Sequence, residues 1–313
     1  MKRASLKRAA LALLILNLVG AGGLRADAAP SEEEAKSLMT VVNFDEALGR
    51  ALARRGDAGA RPCDAGDAVS QRLLTEYGAV FVAGAGVLPP PVCVFSNAEE
   101  VRSFQTRARA TAANVGGVNV ELQPAAMRAL LAARAEAQAA GLDITPRDGT
   151  EAARRDYADT VRLWDSRLLP ALEYWKSQGR LTEEEAARVR QLPAREQVGA
   201  VLELERRGVF FSKDFSKSIL YSVAAPGASQ HLSMLAFDVS EYADARVRAI
   251  LARHGWFRTV QGDLPHFTYL GLREERLPSR GLKKMTTAYG EFWVPNVFDG
   301  YQPSPSLAAA GLK

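Results

Sequence analysis

The sequence predicts an α+β fold, a small antiparallel sheet flanked by helices, and three observations predict it. The central run Tyr157 to Trp175 repeats apolar residues at steps of three and four, the period of an amphipathic helix. Strand-like runs of four to six residues lie on both sides of it, bounded by glycine and proline. The last two, Trp256 to Val260 and Phe267 to Leu270, face each other across Gln261-Gly262 as an antiparallel hairpin does.

Residues 31–60 begin acidic and turn alanine- and arginine-rich, which predicts a short helix and then a loose stretch. Val69 to Tyr77 reads as a helix, Ala79 to Val82 as a strand, and Val92 to Phe95 as a second strand after the extended Pro89-Pro90-Pro91. Gly84-Ala85-Gly86 reads as a turn: Pro89 stands where a nucleotide loop needs its third glycine, and no helix follows. Ser96 or Asn97 caps a helix whose first turn holds Glu99 and Glu100, where negative charge suits the helix dipole. Gln123-Pro124 opens the next helix, with Met127, Leu130 and Leu131 on one face and Gly141 ending it. A strand, Leu142 to Thr145, leads to the turn Pro146 to Gly149.

In the central helix Trp164 and Trp175 read as core, and Pro170 bends the axis. Thr182 with Glu185 forms a capping box for the following helix, which Pro193 stops. A further helix spans about 195–207, closed by Gly208. Strands are expected at Val209 to Ser212 and Ser218 to Val223, with Lys213 and Lys217 in a solvated turn between them. Leu235 to Val239 is a strand and Ala243 to His254 a helix. Beyond Leu277 the chain wraps the domain and ends in a disordered tail, 301–313.

Lys2, Arg3, Lys7, Arg8 and Arg25 against Asp27 account for the whole chain's formal charge of +4. The remainder is close to neutral, so bulk charge points to no nucleic-acid or membrane-surface partner. Four of those basic residues precede the apolar run Ala9 to Val19, and Ala26-Asp27-Ala28 is a small-x-small cleavage site; residues 1–28 read as a secretory signal. The run is short for a membrane span, and an uncleaved anchor is the alternative. Export places Cys63 and Cys93, in the region 29–117, in an oxidising compartment and predicts a disulfide. Two metal-binding thiols are the alternative, with no histidine nearby to join them.

The residues that carry chemistry lie between Ser229 and His266. Two of the chain's three histidines, His231 and His266, sit in this segment. Asp238 follows His231 by seven positions, and Asp263 precedes His266 by three. Two imidazoles and a carboxylate suit zinc with a fourth position open for water, and a second carboxylate beside that water suits a general base. Each histidine–aspartate couple also reads as a plain hydrogen-bonded pair. Strand alternation turns Met234 and Ala236 to the side of Asp238. Asp263 and His266 need the irregular turn that Gly262 and Pro265 imply in order to face one point. No serine is followed by lysine three positions later, which excludes a penicillin-binding S-x-x-K site. H-E-x-x-H is absent as well, and a Ser229/His231/Asp238 triad lacks the G-x-S-x-G elbow.

Ser229-x-His231-x-x-Met234-x-Ala236-x-Asp238, followed by Asp263-x-x-His266, resembles the signature of the VanY-type D-alanyl-D-alanine carboxypeptidase family. That signature is S-x-H-x-x-G-x-A-x-D and then E-x-x-H. Val120 to Pro124, the helix to Gly141, and Leu142 to Arg147 resemble the family's helix-strand-turn ending in S-G-Y-R. The likeness spans about 118–271, interrupted by a helical insertion at about 151–208. It implies a Hedgehog/DD-peptidase-like domain over 118–300, with Zn2+ held by His231, Asp238 and His266. Asp263 would be the general base, Arg147 would hold the substrate's carbonyl or carboxylate, and Ser229 would bond the substrate. The implied substrate is a peptidoglycan stem peptide ending in D-Ala-D-Ala. The chain departs from the pattern with Met234 for glycine, Ile144-Thr145-Pro146 for Ser-Gly-Tyr, and Asp263 for the longer glutamate. Those departures leave a second reading, a catalytically weak or inactive peptidoglycan-binding scaffold of the same fold. Taken alone, Arg147 reads as an ordinary turn arginine.

Overall fold

The structure, a computed structural model, describes residues 42–57, 59–288 and 290–297. Residues 1–28, read from the sequence as a secretory signal, and the 301–313 tail lie outside the described residues. Asn43 caps helix α1 (Phe44–Arg55) by accepting the Asp45 N–H, and the helix buries Phe44, Leu48 and Leu52. Asp67 caps α2 (Ala68–Tyr77). The strand expected at Ala79 to Val82 is instead a 3-10 turn, Gly78–Val82. A short run that is apolar throughout carries no period to separate the two forms, and these four residues are buried.

Val92 to Phe95 makes no strand either: the Cys93 N–H donates to Pro62 and the Phe95 N–H to Gly227, two bonds to two different segments. Cys63 and Cys93 are joined as a disulfide, with Cα atoms 5.0 Å apart. Closing a loop across 30 residues is worth about 3–4 kcal/mol in the chain-entropy view. Asn97 caps α3 (Ala98–Ala108) by accepting from the Glu99 and Glu100 N–H groups. Strands β1 (Thr111–Val115) and β2 (Val118–Leu122) form an antiparallel hairpin beyond the predicted elements. Its signal is Gly116-Gly117, both at positive φ (58° and 88°), as the commonest two-residue hairpin turn requires.

Helix α4 (Pro124–Ala139) buries Met127, Leu130 and Ala133, whereas Leu131 is 40% exposed, a third of a turn off that face. Leu142 to Thr145 stays extended with one isolated bridge, Pro146 to Val239, in place of a strand. The Thr145 N–H donates to the Glu241 carboxylate at 2.8 Å, so a side chain takes the donor a ladder would use.

The helical insertion is present as α5 (Tyr157–Ser177), α6 (Glu183–Gln191) and α7 (Ala194–Arg206). Capping boxes open α5 at Asp156 and α6 at Thr182, the second as the sequence predicts. Trp164 is fully buried and donates to Gln197 at 2.8 Å, while Trp175 donates to the Phe210 carbonyl at 2.7 Å. No strands form at Val209 to Ser212 or Ser218 to Val223. The Ile219 N–H goes to the Glu205 carboxylate at 2.6 Å, and Ile219–Tyr221 is a 3-10 turn.

Strands β3 (Ala236–Asp238), β4 (Trp256–Phe257) and β5 (His266–Tyr269) form an antiparallel sheet with β5 in the middle. Its register places Asp238 opposite His266 and Phe257 opposite Thr268. Helix α8 (Ala245–Arg253) connects β3 to β4. The wrapping tail holds a further hairpin, β6 (Leu282–Thr287) with β7 (Gly290–Pro295). The Trp293 N–H donates to Arg258 at 2.8 Å and the Phe44 N–H to Asn296 at 3.0 Å, tying the tail to both the sheet region and α1.

One apolar core joins Phe44 and Leu48 to Phe237 and Trp256, so the N-terminal region flanks the sheet instead of building a core of its own. A second core packs the helical insertion against α2. Eight α-helices and three small antiparallel sheets among the described residues make the fold α+β. Among those residues no helix is long and apolar enough to cross a membrane.

Candidate metal centre

His231 stands on a 3-10 turn, Gln230–Ser233, whose cap is Ser229; the Ser229 Oγ accepts the His231 N–H at 3.4 Å. Met234 closes the turn at φ 56°, so the alternation expected to reach back to Met234 begins only at Ala236. Asp238 ends β3 and His266 begins β5, directly across from it. One donor atom from each of the three residues lies within 4.8 Å of the others, and all three side chains are buried. His231 Nε2 is 3.1 Å from His266 Nδ1 and 3.3 Å from Asp238 Oδ2, and His266 Nδ1 is 3.2 Å from Asp238 Oδ1.

Hydrogen bonds around this triangle assign which ring nitrogens face inward. His231 Nδ1 lies 2.8 Å from the Ala153 carbonyl, which only accepts, so Nδ1 carries the proton. His266 Nε2 lies 2.9 Å from Gln230 Oε1. The Gln230 amide is oriented by its own donation to the Tyr77 carbonyl at 2.8 Å, so His266 Nε2 also carries its proton. Thr268 donates to the same Gln230 oxygen and is held by Thr259 at 2.6 Å. His231 Nε2 and His266 Nδ1 are therefore two bare lone pairs turned toward each other and toward a carboxylate. Three acceptors with no proton between them repel, and a cation at their centre removes the conflict. Zinc bonds of about 2.0–2.2 Å at tetrahedral angles place donor atoms about 3.3 Å apart, close to the imidazole–imidazole separation and to the nearest carboxylate oxygen of each ring, Oδ2 for His231 and Oδ1 for His266. The residues fit zinc.

Burial lowers the His231 pKa from 6.5 to about 4, helped by the Arg155 charge and opposed by Asp238. A stability prediction follows for the chelated protein. Between pH 6.5 and about 4 the unfolded chain takes up a proton at residue 231 that the folded chain refuses. Stability is thus full above this window, falls as pH drops through it, and levels off below. At 1.36 kcal/mol per unit the loss is about 3 kcal/mol. Asp263, Glu76 and Glu205, whose carboxyls burial raises, Glu205 to about 7, act in the opposite sense, so chelated Asp263→Asn is unfolded in urea with and without His231→Gln, and the difference between the two isolates residue 231. A difference in midpoint that is the same at pH 7 and pH 4.5 contradicts the assignment of a neutral, buried His231.

The triangle opens into a cavity of about 370 Å³ that Asp263, Arg147, Ser229 and Tyr242 also line. Asp263 lies in the connection from β4 to β5; its N–H donates to Val260 at 3.2 Å and its carbonyl accepts the His266 N–H at 3.4 Å. That turn, with Gly262 at φ 87°, brings Asp263 to the same cavity as His266, as a regular strand would not. Burial raises its carboxyl; His266 draws it down, Asp238 adds to the rise, and Arg155 and Arg147 oppose it. The Arg147 N–H donates to the Asp238 carbonyl at 2.9 Å, which anchors the residue beside β3. Its half-exposed guanidinium lies over the Tyr242 ring, 5.4 Å from the centroid. The Ser229 hydroxyl meets the His231 backbone and not its ring, so no Ser/His/Asp triad is assembled.

Gln230, Ala153 and Arg155 are additions to the expected site. Gln230 had a signal, a long polar side chain flanked by Ser229 and His231 and followed by an apolar stretch. Arg155, which meets Asp238 Oδ2 at 2.8 Å, lies in a charged Arg154-Arg155-Asp156 run that carries no sequence signal of a buried contact. Fold and site together define an α+β protein with a buried His-Asp-His group that could hold a metal ion. No family model matches the chain, and no curated protein does.

Proposed function

We propose that the protein is an exported zinc peptidase acting on cell-wall peptides, with D-alanyl-D-alanine carboxypeptidase as its activity and a Hedgehog/DD-peptidase-like fold. The observation that carries this reading is the buried triangle of His231, Asp238 and His266, its lone pairs turned inward, on a cavity shared by Asp263 and Arg147. The backbone at Met234 adds support. Its φ of 56° is the left-handed conformation that glycine adopts most easily, and the VanY-type pattern has glycine there. The disulfide agrees with export.

His231 would hold zinc through Nε2, His266 through Nδ1 and Asp238 through its carboxylate, and the metal would supply a Lewis acid that makes water more acidic. Asp263 takes the proton of the attacking water and returns it to the leaving amine. Burial raises its carboxyl, which suits a group that must accept and then release a proton. Arg147 at the mouth presents its planar fork to the substrate's carbonyl or carboxylate. The Ser229 oxygen accepts from the His231 backbone, a bond that leaves its hydroxyl proton to serve the substrate.

Metal analysis of the purified protein tests this, together with hydrolysis of a D-Ala-D-Ala-terminated peptide before and after chelation. One zinc per chain and chelator-sensitive release of D-alanine are expected. Zinc without turnover favours the binding scaffold, to which the short side chain of Asp263 also points. Absence of zinc, or hydrolysis that survives chelation, overturns the proposal.

A further inference from the structure

Asp238 uses its two oxygens differently. Both lie at the triangle, Oδ1 3.2 Å from His266 Nδ1 and Oδ2 3.3 Å from His231 Nε2, but only Oδ2 also receives the Arg155 guanidinium, at 2.8 Å. We propose that Arg155 is a positioning residue that occupies Oδ2 and leaves Oδ1 as the one carboxylate oxygen for the metal. The inference rests on the metal-centre reading above and adds a residue to it.

The pair is shielded, with side chains 17% and 9% exposed, so the charge-assisted bond is strong and competes with a second metal–oxygen contact. Arg155 is itself fixed. Its Nε donates to the Glu151 carbonyl at 3.0 Å, and its own carbonyl accepts from Gln105 Nε2 at 2.9 Å. The same Gln105 nitrogen donates to the Leu232 carbonyl at 3.2 Å, inside the turn that carries His231. Gln105 Oε1 accepts from Arg154 at 2.9 Å. The segment before α5 is thus bolted to the His231 turn by one buried amide. Ala153, two residues ahead of Arg155, takes the His231 Nδ1–H. A single short segment therefore orients two of the three ligands, the arrangement by which outer contacts fix tautomer and ligand direction in metal sites.

Two chemical consequences follow. A carboxylate confined to one oxygen leaves coordination positions for water and for the substrate carbonyl, which a hydrolytic zinc site needs. The guanidinium also offsets the carboxylate charge, so the metal stays more electrophilic. The helical insertion begins at this segment, which fastens the whole α5–α7 lobe to the metal centre.

Cobalt(II) is the probe, because its visible absorption weakens as coordination number rises from four. Arg155→Met frees Oδ2 to bind, and the cobalt band is expected to fall by about twofold or more as a fifth donor enters. Arg155→Lys, which keeps a charged donor, is expected to restore most of the intensity. Gln105→Ala, which loosens the segment and leaves Arg155 in place, is expected to move the band the same way by less. Circular dichroism of the metal-free proteins identifies the variants that fold. A wild-type band in Arg155→Met, or in Gln105→Ala should only that variant fold, overturns the proposal while the metal centre stands. Wild-type protein that binds no cobalt overturns the metal centre itself, and Arg155's role with it.

Discussion

Asp263→Ala is expected to lower hydrolysis of a D-Ala-D-Ala-terminated peptide by about 10²–10⁴-fold, the share a positioned acid–base group contributes. One zinc per chain is expected to remain. The two halves of this result separate because Asp263 lies outside the three-residue ligand group and yet lines the same cavity. Its hydrogen bonds to Val260 and His266 run through the backbone and survive the substitution, so the β4–β5 turn keeps its shape. Asp263→Asn, of equal size and without a basic oxygen, should lose as much. Rate and zinc content measured on the same samples decide the matter. Full activity in either variant removes Asp263 from proton transfer, and loss of zinc along with activity makes it a support of the metal centre instead.

How much of this could be read from the chain depended on range. The helices were legible because each start carries its own chemistry within four residues: Asn97 before Glu99 and Glu100, Thr182 before Glu185, Pro124 in a first turn. Strands were less so. Ala79 to Val82, Val92 to Phe95 and Val209 to Ser212 are apolar and short, and whether such a run joins a ladder depends on what lies beside it. In Val92 to Phe95 the donors go elsewhere, to the carbonyls of Pro62 and Gly227, and in the expected strand Ser218 to Val223 the Ile219 N–H goes to the Glu205 carboxylate. The β1–β2 hairpin had a local signal in Gly116-Gly117 that alternation on either side supports. For the site, histidine scarcity and spacing pointed to His231, Asp238 and His266, which the β3–β5 register brings together. Their protonation pattern was beyond reach, because Ala153, Gln230 and Tyr77 set it from places that only the folded chain joins.

Gly227→Ala is expected to be the most damaging single methyl addition near the site. Gly227 adopts φ 76°, and a Cβ built there would stand 2.0 Å from the Phe95 carbonyl oxygen, a backbone atom that cannot rotate away. Three segments depend on this approach. The Gly227 carbonyl accepts the Phe95 N–H at 2.9 Å, its N–H donates to the buried Thr160 Oγ1 on α5 at 3.1 Å, and Ser229 and His231 follow directly. Left-handed backbone alone costs a side chain about 1–2 kcal/mol. Displacing Phe95 raises the expected loss to about 3 kcal/mol or more, the range of strained or overpacked sites. Gly262→Ala is the control, since its φ is 87° but the nearest atom to its Cβ is 3.7 Å away, which leaves the backbone term by itself. Urea unfolding of both metal-free variants separates strain from collision. A larger loss for Gly227→Ala, together with weaker zinc binding, is the expected result. Equal losses would mean that Phe95 yields freely and that the turn bearing His231 is not held by this contact.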